Sequence, residues 1–450
     1  MWFLEVHADG IFHRQWTRLV LAVSQSEPAV RHALVAVGTL NERRDVYLRD
    51  VTFTRSIVID HPLETGSTFH CQQQQHNDPF ALSQYNKAIA HLANAMNSPS
   101  SNAIDTALLV CILFVCVECL RGDYAPALKH FRGGMSIALA AAGKEGPNSR
   151  ASKMTGIRER LMPFFNRLEL LCQLYGQRPE YEYGIEPFET LPDAFHSIVE
   201  ARDSIVHLMN ISIRLIHHTK FRRYCNEIKL DDIVQHNEVV SCLSIWRQLL
   251  DDFLATAPPS THLTEAATIL EIQRIVTLTW LNRALVPEES AADADIPLYE
   301  QAVRLAESLR ITDHDQTTTT TTASIPALPA STFLFDMEIV SPLYLVEIKC
   351  RDPSIRRRAI AVLRHTVRRE GLWDSVKAAA IAERVMQIEE KGLPTLDGNV
   401  LPAEGARVAN CHIDSGPGLN PSGHKVTFFT MPEGVRGKWH TWDEWVELRC

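Results

Sequence analysis

Apolar residues along this chain recur mainly at intervals of three and four, the period that returns to one side of an α-helix. The clearest stripe follows Phe80, where Leu82, Tyr85, Ile89, Leu92 and Met96 share a face. Residues 11–23 carry the same pattern. Ser26-Glu27-Pro28 then opens a second short helix with Val30, Ala33, Leu34 and Val37 on one side. Serine offers an oxygen to unpaired N–H groups, and a first-turn proline loses no helical bond. Residues 107–120 are apolar all round, which predicts a helix at the centre of the body, capped by Asn102 or Asp105. Asp123 and Pro126 start the next helix, which ends near Gly143. Further helices fit 158–175, 193–221, 231–254, 263–284 and 298–309.

Breaks in the period place the connections. Residues 53–77, with Gln72 to Gln75, read as a surface loop, and Pro179, Pro187, Pro258-Pro259 and Pro287 stop helices. Thr317 to Thr322, followed by Pro326 and Pro329, predicts a Thr/Pro-rich loop near 313–331. Helical order resumes over 333–349, interrupted or restarted at Pro342. Asp352-Pro353 caps the next helix, and 372–390 completes the series before Gly392. Beyond Pro394 the pattern changes. Residues 408–413 and 425–430 read as strands of a β-hairpin joined by the Gly/Pro/Asn-rich 415–423. The expected fold is therefore mainly α, a large multi-helix body over 1–392 with a strand-rich tail, 393–450, docked on it. Trp439, Trp442 and Trp445 fall at the end of that tail, where apolar packing is the expected role.

Composition narrows the classes. A 45% apolar chain of 450 residues supplies a real core, so a globular protein is expected. The net charge of −9 provides no global field for nucleic acid. The longest apolar run, 107–117, falls short of the ~20 residues that span a bilayer, and Met1-Trp2-Phe3-Leu4-Glu5 has no secretory pattern. A soluble intracellular protein with no membrane contact is expected. Ten scattered cysteines read as reduced, buried thiols.

Candidate chemistry is sparse. Cys116 and Cys119 have the spacing of a metal pair, with Cys111 nearby, but core-type neighbours Ile112 to Val115 argue for buried thiols and no metal. No phosphate loop, zinc-protease motif, dinucleotide turn or nucleophile elbow is present, and Gly134-Met135-Ser136 lies mid-helix. No catalytic or cofactor-binding residue is assigned. His217-His218 with Lys220, Arg222 and Arg223 suggests a solvated helix end, since adjacent helical residues point about 100° apart. Between Lys349 and Arg369 eight basic side chains face one acid, Asp352. Arg357, Arg364 and Arg368 would share a helical face there. An acidic protein or nucleic acid could bind it, but a solvated face pairing with acids elsewhere is the more economical reading.

Several segments together resemble the C-terminal regulatory domain of fungal binuclear zinc-cluster transcription factors. They are Val30-Arg31-His32-Ala33-Leu34-Val35-Ala36-Val37-Gly38, Tyr85-Asn86-Lys87-Ala88-Ile89, Cys116 to Gly122 leading to His130-Phe131-Arg132-Gly133-Gly134, Lys349-Cys350-Arg351-Asp352-Pro353, and Glu370-Gly371-Leu372-Trp373-Asp374. They occur in the family's order over about 25–392. In that family a six-cysteine cluster holds two zinc ions and reads DNA, whereas the helical body governs activation and partner contacts. The cysteines here lack those short repeated spacings.

The resemblance implies a nuclear transcription regulator, attached to a secondary-metabolite gene cluster. It would reach DNA indirectly, through another DNA-binding regulator or as a dimer with itself. A non-transcriptional helical scaffold, and last an enzyme with a cryptic helical cavity, are the alternatives.

Overall fold

The computed structural model describes residues 13–57, 78–97, 103–142, 155–174, 191–315, 332–334, 337–366, 368–393, 400–413 and 423–447. They fall into two compact units. One is drawn from the chain up to Glu169 together with the short strand β1 (Thr332–Leu334), and the other takes the remaining described residues from Leu170 onward.

The first unit holds α1 (His13–Ser26), α2 (Pro28–Ile57), α3 (Pro79–Met96), α4 (Ala103–Arg121), α5 (Tyr124–Ala142) and most of α6 (Thr155–Leu174). Helix α2 is longer than its apolar pattern indicates, so 53–57, expected in a loop, are helical; Gln72 to Gln75 lie outside the described residues. Arg31 reaches back to the carbonyls of Ser24 and Gln25 at 2.9 and 2.6 Å, satisfying acceptors left unpaired at the end of α1.

Asp78 caps α3 by accepting the Ala81 N–H at 2.7 Å, with Pro79 in the first turn. Helix α4 is packed by α2, α3 and α5 and is buried almost throughout, as its all-round apolarity demands. Each buried Leu, Ile or Phe there contributes about 1.5–3 kcal/mol. Its 19 residues are long and apolar enough to cross a membrane by composition, but in this unit they form the core. Asp105 sits inside its first turn and is not the residue before it. At the other end Gly122, at φ 74°, lets the Asp123 N–H return to the Glu118 carbonyl at 3.0 Å, a left-handed stop that suits glycine.

The second unit contains α7 (Ile198–Thr219), α8 (Leu230–Thr256), α9 (Thr261–Leu281), α10 (Ile296–Asp315), α11 (Val340–Lys349), α12 (Pro353–His365) and α13 (Ser375–Glu389). Ser197 caps α7, so that helix starts five residues later than its apolar pattern suggests; a separate turn, Arg222–Cys225, follows it. Helix α9 packs against α7, α8, α10 and α11. Trp246 of α8 is fully buried and donates its indole N–H to the Ala201 carbonyl at 2.9 Å.

Two expected helices start late for identifiable reasons. Phe333 lies in β1, and α11 starts at Val340 with Pro342 in its first turn. Residues 372–374 belong to a tight hairpin, β2 (Arg368–Glu370) with β3 (Trp373–Asp374), made possible by Gly371 at φ 52°. Asp374 then caps α13. Helix α10 extends to Asp315, so 313–315 of the expected loop are helical, and Thr317 to Thr322 lie outside the described residues.

The tail gains a strand beyond the expected hairpin. Strands β4 (Val408–Ile413), β5 (Gly423–Thr430) and β6 (His440–Glu447) form an antiparallel sheet with β5 central. The sheet lies on α13, where Arg384 makes a two-pronged pair with Glu444 at 2.6 and 2.9 Å.

Candidate functional site

The segments singled out in the sequence converge on two buried polar clusters, one in each unit. In the first, Tyr85 from α3 meets His130 from α5 at 2.6 Å between the phenol oxygen and Nε2. The phenol also hydrogen-bonds Glu118 of α4, whose carboxylate takes Arg121 at 2.7 Å. Burial raises the Tyr85 phenol and the Glu118 carboxyl and lowers His130. A neutral imidazole donating from Nε2 to the phenol, which donates to Glu118, satisfies every member. Phe114 closes the cluster edge-on to both rings.

In the second unit the basic run turns inward. Lys349, Arg351 and Arg356 are buried, which corrects the expectation of a solvated face for these three. The acids that draw them in come from distant segments, which local charge spacing cannot reveal. Glu289 takes Lys349 at 2.8 Å and Arg283 at 2.7 Å, and Glu389 takes Arg351 at 2.9 Å and Arg356 at 2.5 Å. Burial pushes Glu289 up, but Arg283, Lys349 and Arg351 outweigh it and hold the carboxyl far below the usual range. The Lys349 ammonium also donates to the Ala409 carbonyl, and Glu389 accepts the Val408 N–H at 2.8 Å, so the cluster clamps β4.

Beside it, Glu370 accepts the backbone N–H groups of Glu338, Ile339 and Val340 at 2.9–3.1 Å, serving the start of α11. Burial pushes its carboxyl up to about 7. Glu347 is fully buried and raised well above the usual range by burial.

The outer part of the basic run is paired as expected, though not on one helical face. Arg357 pairs with Glu390 at 2.5 Å, Arg364 with Glu383, and Arg368, which lies on β2, with Glu338 at 2.6 Å.

Elsewhere the candidates separate. Cys111, Cys116 and Cys119 are buried on α4, with burial pushing the Cys111 thiol up to about 11. Among the described residues no group of three His, Cys, Asp or Glu side chains could hold a metal ion. Gly134 is inside α5, against Phe165 and Cys111. His218 and Arg222 both engage Asp232 of α8, at 3.3 and 3.1 Å, so this helix end is tied to the next helix, contrary to the expected solvated end. Trp442 stacks on Phe428 at 5.6 Å, whereas Trp439 and Trp445 remain nearly half exposed.

The clusters therefore tie helices and strands together, and Tyr85, Glu118, His130, Lys349, Arg351 and Glu370 among their builders lie in the segments that carry the resemblance. Residues 10–383 match the fungal-specific transcription factor domain. The chain belongs to that family.

Among curated proteins, this fungal-specific transcription factor domain chain is similar to the aspercryptin biosynthesis cluster-specific transcription regulator atnN of Emericella nidulans. The two are 23% identical over 475 aligned positions, covering 86% of this chain and 72% of the relative. It is also similar to the transcription regulator lscL of Purpureocillium lilacinum, at 28% identity over 120 positions, covering 27% of this chain and 25% of that protein. No solved structure matches.

Proposed function

We propose that this chain regulates transcription of a secondary-metabolite gene cluster, acting in the nucleus through protein contacts and not as an enzyme. The observation that carries this is the extent of the family match, 374 of 450 residues from 10 to 383, joined to similarity with a cluster-specific regulator along most of both chains. The polar clusters support it in a second way. Their charged groups are engaged in holding elements together, the role expected of a body that presents surfaces.

The ten cysteines lack the repeated spacing of a zinc cluster within these 450 residues. Contact with DNA through another DNA-binding regulator, or through a second copy, is the route this reading favours. Deletion of the gene should change transcript levels of neighbouring biosynthetic genes, and a fluorescent fusion should accumulate in the nucleus. Unchanged transcripts under producing conditions would remove the proposal.

A further inference from the structure

The two edges of the tail sheet are finished differently. At β4 the register slips between Val408 and Asn410, and the Lys349 and Glu389 side chains take the Ala409 carbonyl and the Val408 N–H. A slip and captured backbone groups both blunt an edge against further pairing. Strand β6 has neither feature. It pairs with β5 in one unbroken register from His440 to Glu447, eight residues where about five or six are usual, and it holds no proline or lysine. Among the described residues no other backbone bonds its outer side. The N–H and C=O groups there form a ladder that fits another extended backbone.

Residues 439–445 indicate which backbone. Trp439, Trp442 and Trp445 are placed symmetrically about the middle one. When the strand is laid antiparallel on its own copy, with a two-fold axis through Trp442 perpendicular to the sheet, Trp442 meets itself and Trp439 faces Trp445 twice. Thr441 then faces Asp443, and His440 faces Glu444. Such an axis keeps each face of the sheet continuous, because directly opposed residues share a face. Other centres lose these pairs. Centring on Asp443 or Glu444 sets that acid against its own copy, and centring on Thr441 puts Trp445 opposite Gly437, outside the strand. Asp443 and Glu444 already pair with Lys425 and Arg384 in their own copy, so the tryptophans set the register. Trp439 and Trp445 are 47% and 43% exposed yet fixed, one edge-on to Tyr224 and the other lying over Gly423. Aromatic surface held in place this way is buried at little ordering cost.

We propose that β6 pairs antiparallel with β6 of a second copy of this chain, centred on Trp442, so that two three-stranded tail sheets join into one of six strands. The proposal rests on the reading above that a second copy takes part in regulation, and gives that copy its interface.

The test uses the purified full chain in analytical ultracentrifugation, which should show a reversible monomer–dimer equilibrium. Trp439→Ser with Trp445→Ser should raise the dimer Kd by about tenfold or more. Ile245→Ser, exposed on α8, should leave it unchanged. Cross-linking reads the register directly and does not depend on the tryptophan variants folding. It is done with Cys225→Ser, because that thiol is exposed. Thr441→Cys with Asp443→Cys places thiols opposite one another across the two copies, and mild oxidation should give a reducible covalent dimer. Either cysteine variant alone sets its thiols a diagonal apart, beyond disulfide reach, and should link far less.

A chain that stays monomeric up to about 100 μM, where even weak specific pairs populate, overturns the proposal. A dimer whose Kd ignores the double tryptophan variant overturns it too, since the copies then meet elsewhere. So does linking by Thr441→Cys or Asp443→Cys alone as readily as by the two together. These readouts are made on the isolated chain, so they fail separately from the regulatory reading, which gene deletion tests.

Discussion

Arg351 and Glu389 meet at 2.9 Å with both side chains wholly out of solvent. The carboxylate also holds Arg356 and the Val408 N–H, so one acid joins α12, α13 and β4.

Glu389→Gln keeps the volume and removes the charge, taking the paired carboxylate from buried Arg356 and leaving buried Arg351 with Glu289 alone, at 3.3 Å. It should cost about 3–5 kcal/mol, the range for breaking a buried pair from one side. Urea unfolding followed by tryptophan emission reports it, because six of the eight tryptophans belong to the second unit. Arg357→Gln, which breaks the half-exposed pair with Glu390, should cost under about 1 kcal/mol. Equal losses in the two variants would refute the burial argument.

Adjacent glycines on α5 should respond with opposite signs. A Cβ at Gly134 would come within 2.6 Å of the Phe165 ring and 3.1 Å of the Cys111 Cβ, whereas one at Gly133 meets nothing within 4 Å. Gly134→Ala should destabilise the first unit by about 1–3 kcal/mol through overpacking. Gly133→Ala should stabilise it by up to about 1 kcal/mol through helix propensity. Hydrogen exchange of peptides from α4 and α5 separates the two; a destabilising Gly133→Ala would show that this space is not open.

Helices were legible where an apolar stripe and a recognised cap occurred together, as at Asp352, whereas the Ser197 cap passed unread and α7 was expected five residues too early. The central position of α4 followed from its apolarity alone. The buried clusters were not legible, because Glu289 and Glu389 are 60 and 38 residues from the basic side chains Lys349 and Arg351 that they hold. A run of positive charge looks the same in sequence whether it faces water or two distant carboxylates. The β2–β3 hairpin was hidden for a different reason: its signal is one left-handed glycine, Gly371, just ahead of residues 372–374, which also fit the helical period of 372–390. Strand β6 was missed because tryptophans three apart do not display the period of two, although Trp442 and Trp445 both lie on it.

His424 on β5 supplies a pH dependence. Burial, then Lys377, lowers its pKa from 6.5 to about 4, with Arg369 adding to the effect and Asp374 opposing it. The unfolded imidazole takes up a proton near pH 6.5 and the folded one only near 4, so stability should be full above pH 6.5 and fall as pH drops toward 4. The contribution is up to about 3 kcal/mol. His424→Gln should flatten the urea midpoint between pH 6.5 and 4.5; an unchanged slope would place the dependence on other groups.

Tyr85→Phe tests the proton order in the first cluster. Removing the phenol takes a donor from the Glu118 carboxylate and an acceptor from His130, which should cost about 1–3 kcal/mol for buried groups left unpaired. The loss should also depend on pH. The phenol lowers the Glu118 carboxyl, so without it the folded pKa, already raised by burial, moves further up. A raised folded carboxyl favours the native state at low pH and loses that advantage as pH increases. The deficit of Tyr85→Phe should therefore be largest near pH 8 and shrink as Glu118 becomes protonated toward pH 5. Far-UV circular dichroism melts across that range measure it. A deficit independent of pH would mean that the phenol does not donate to an ionised Glu118, and that its hydrogen points to His130 instead.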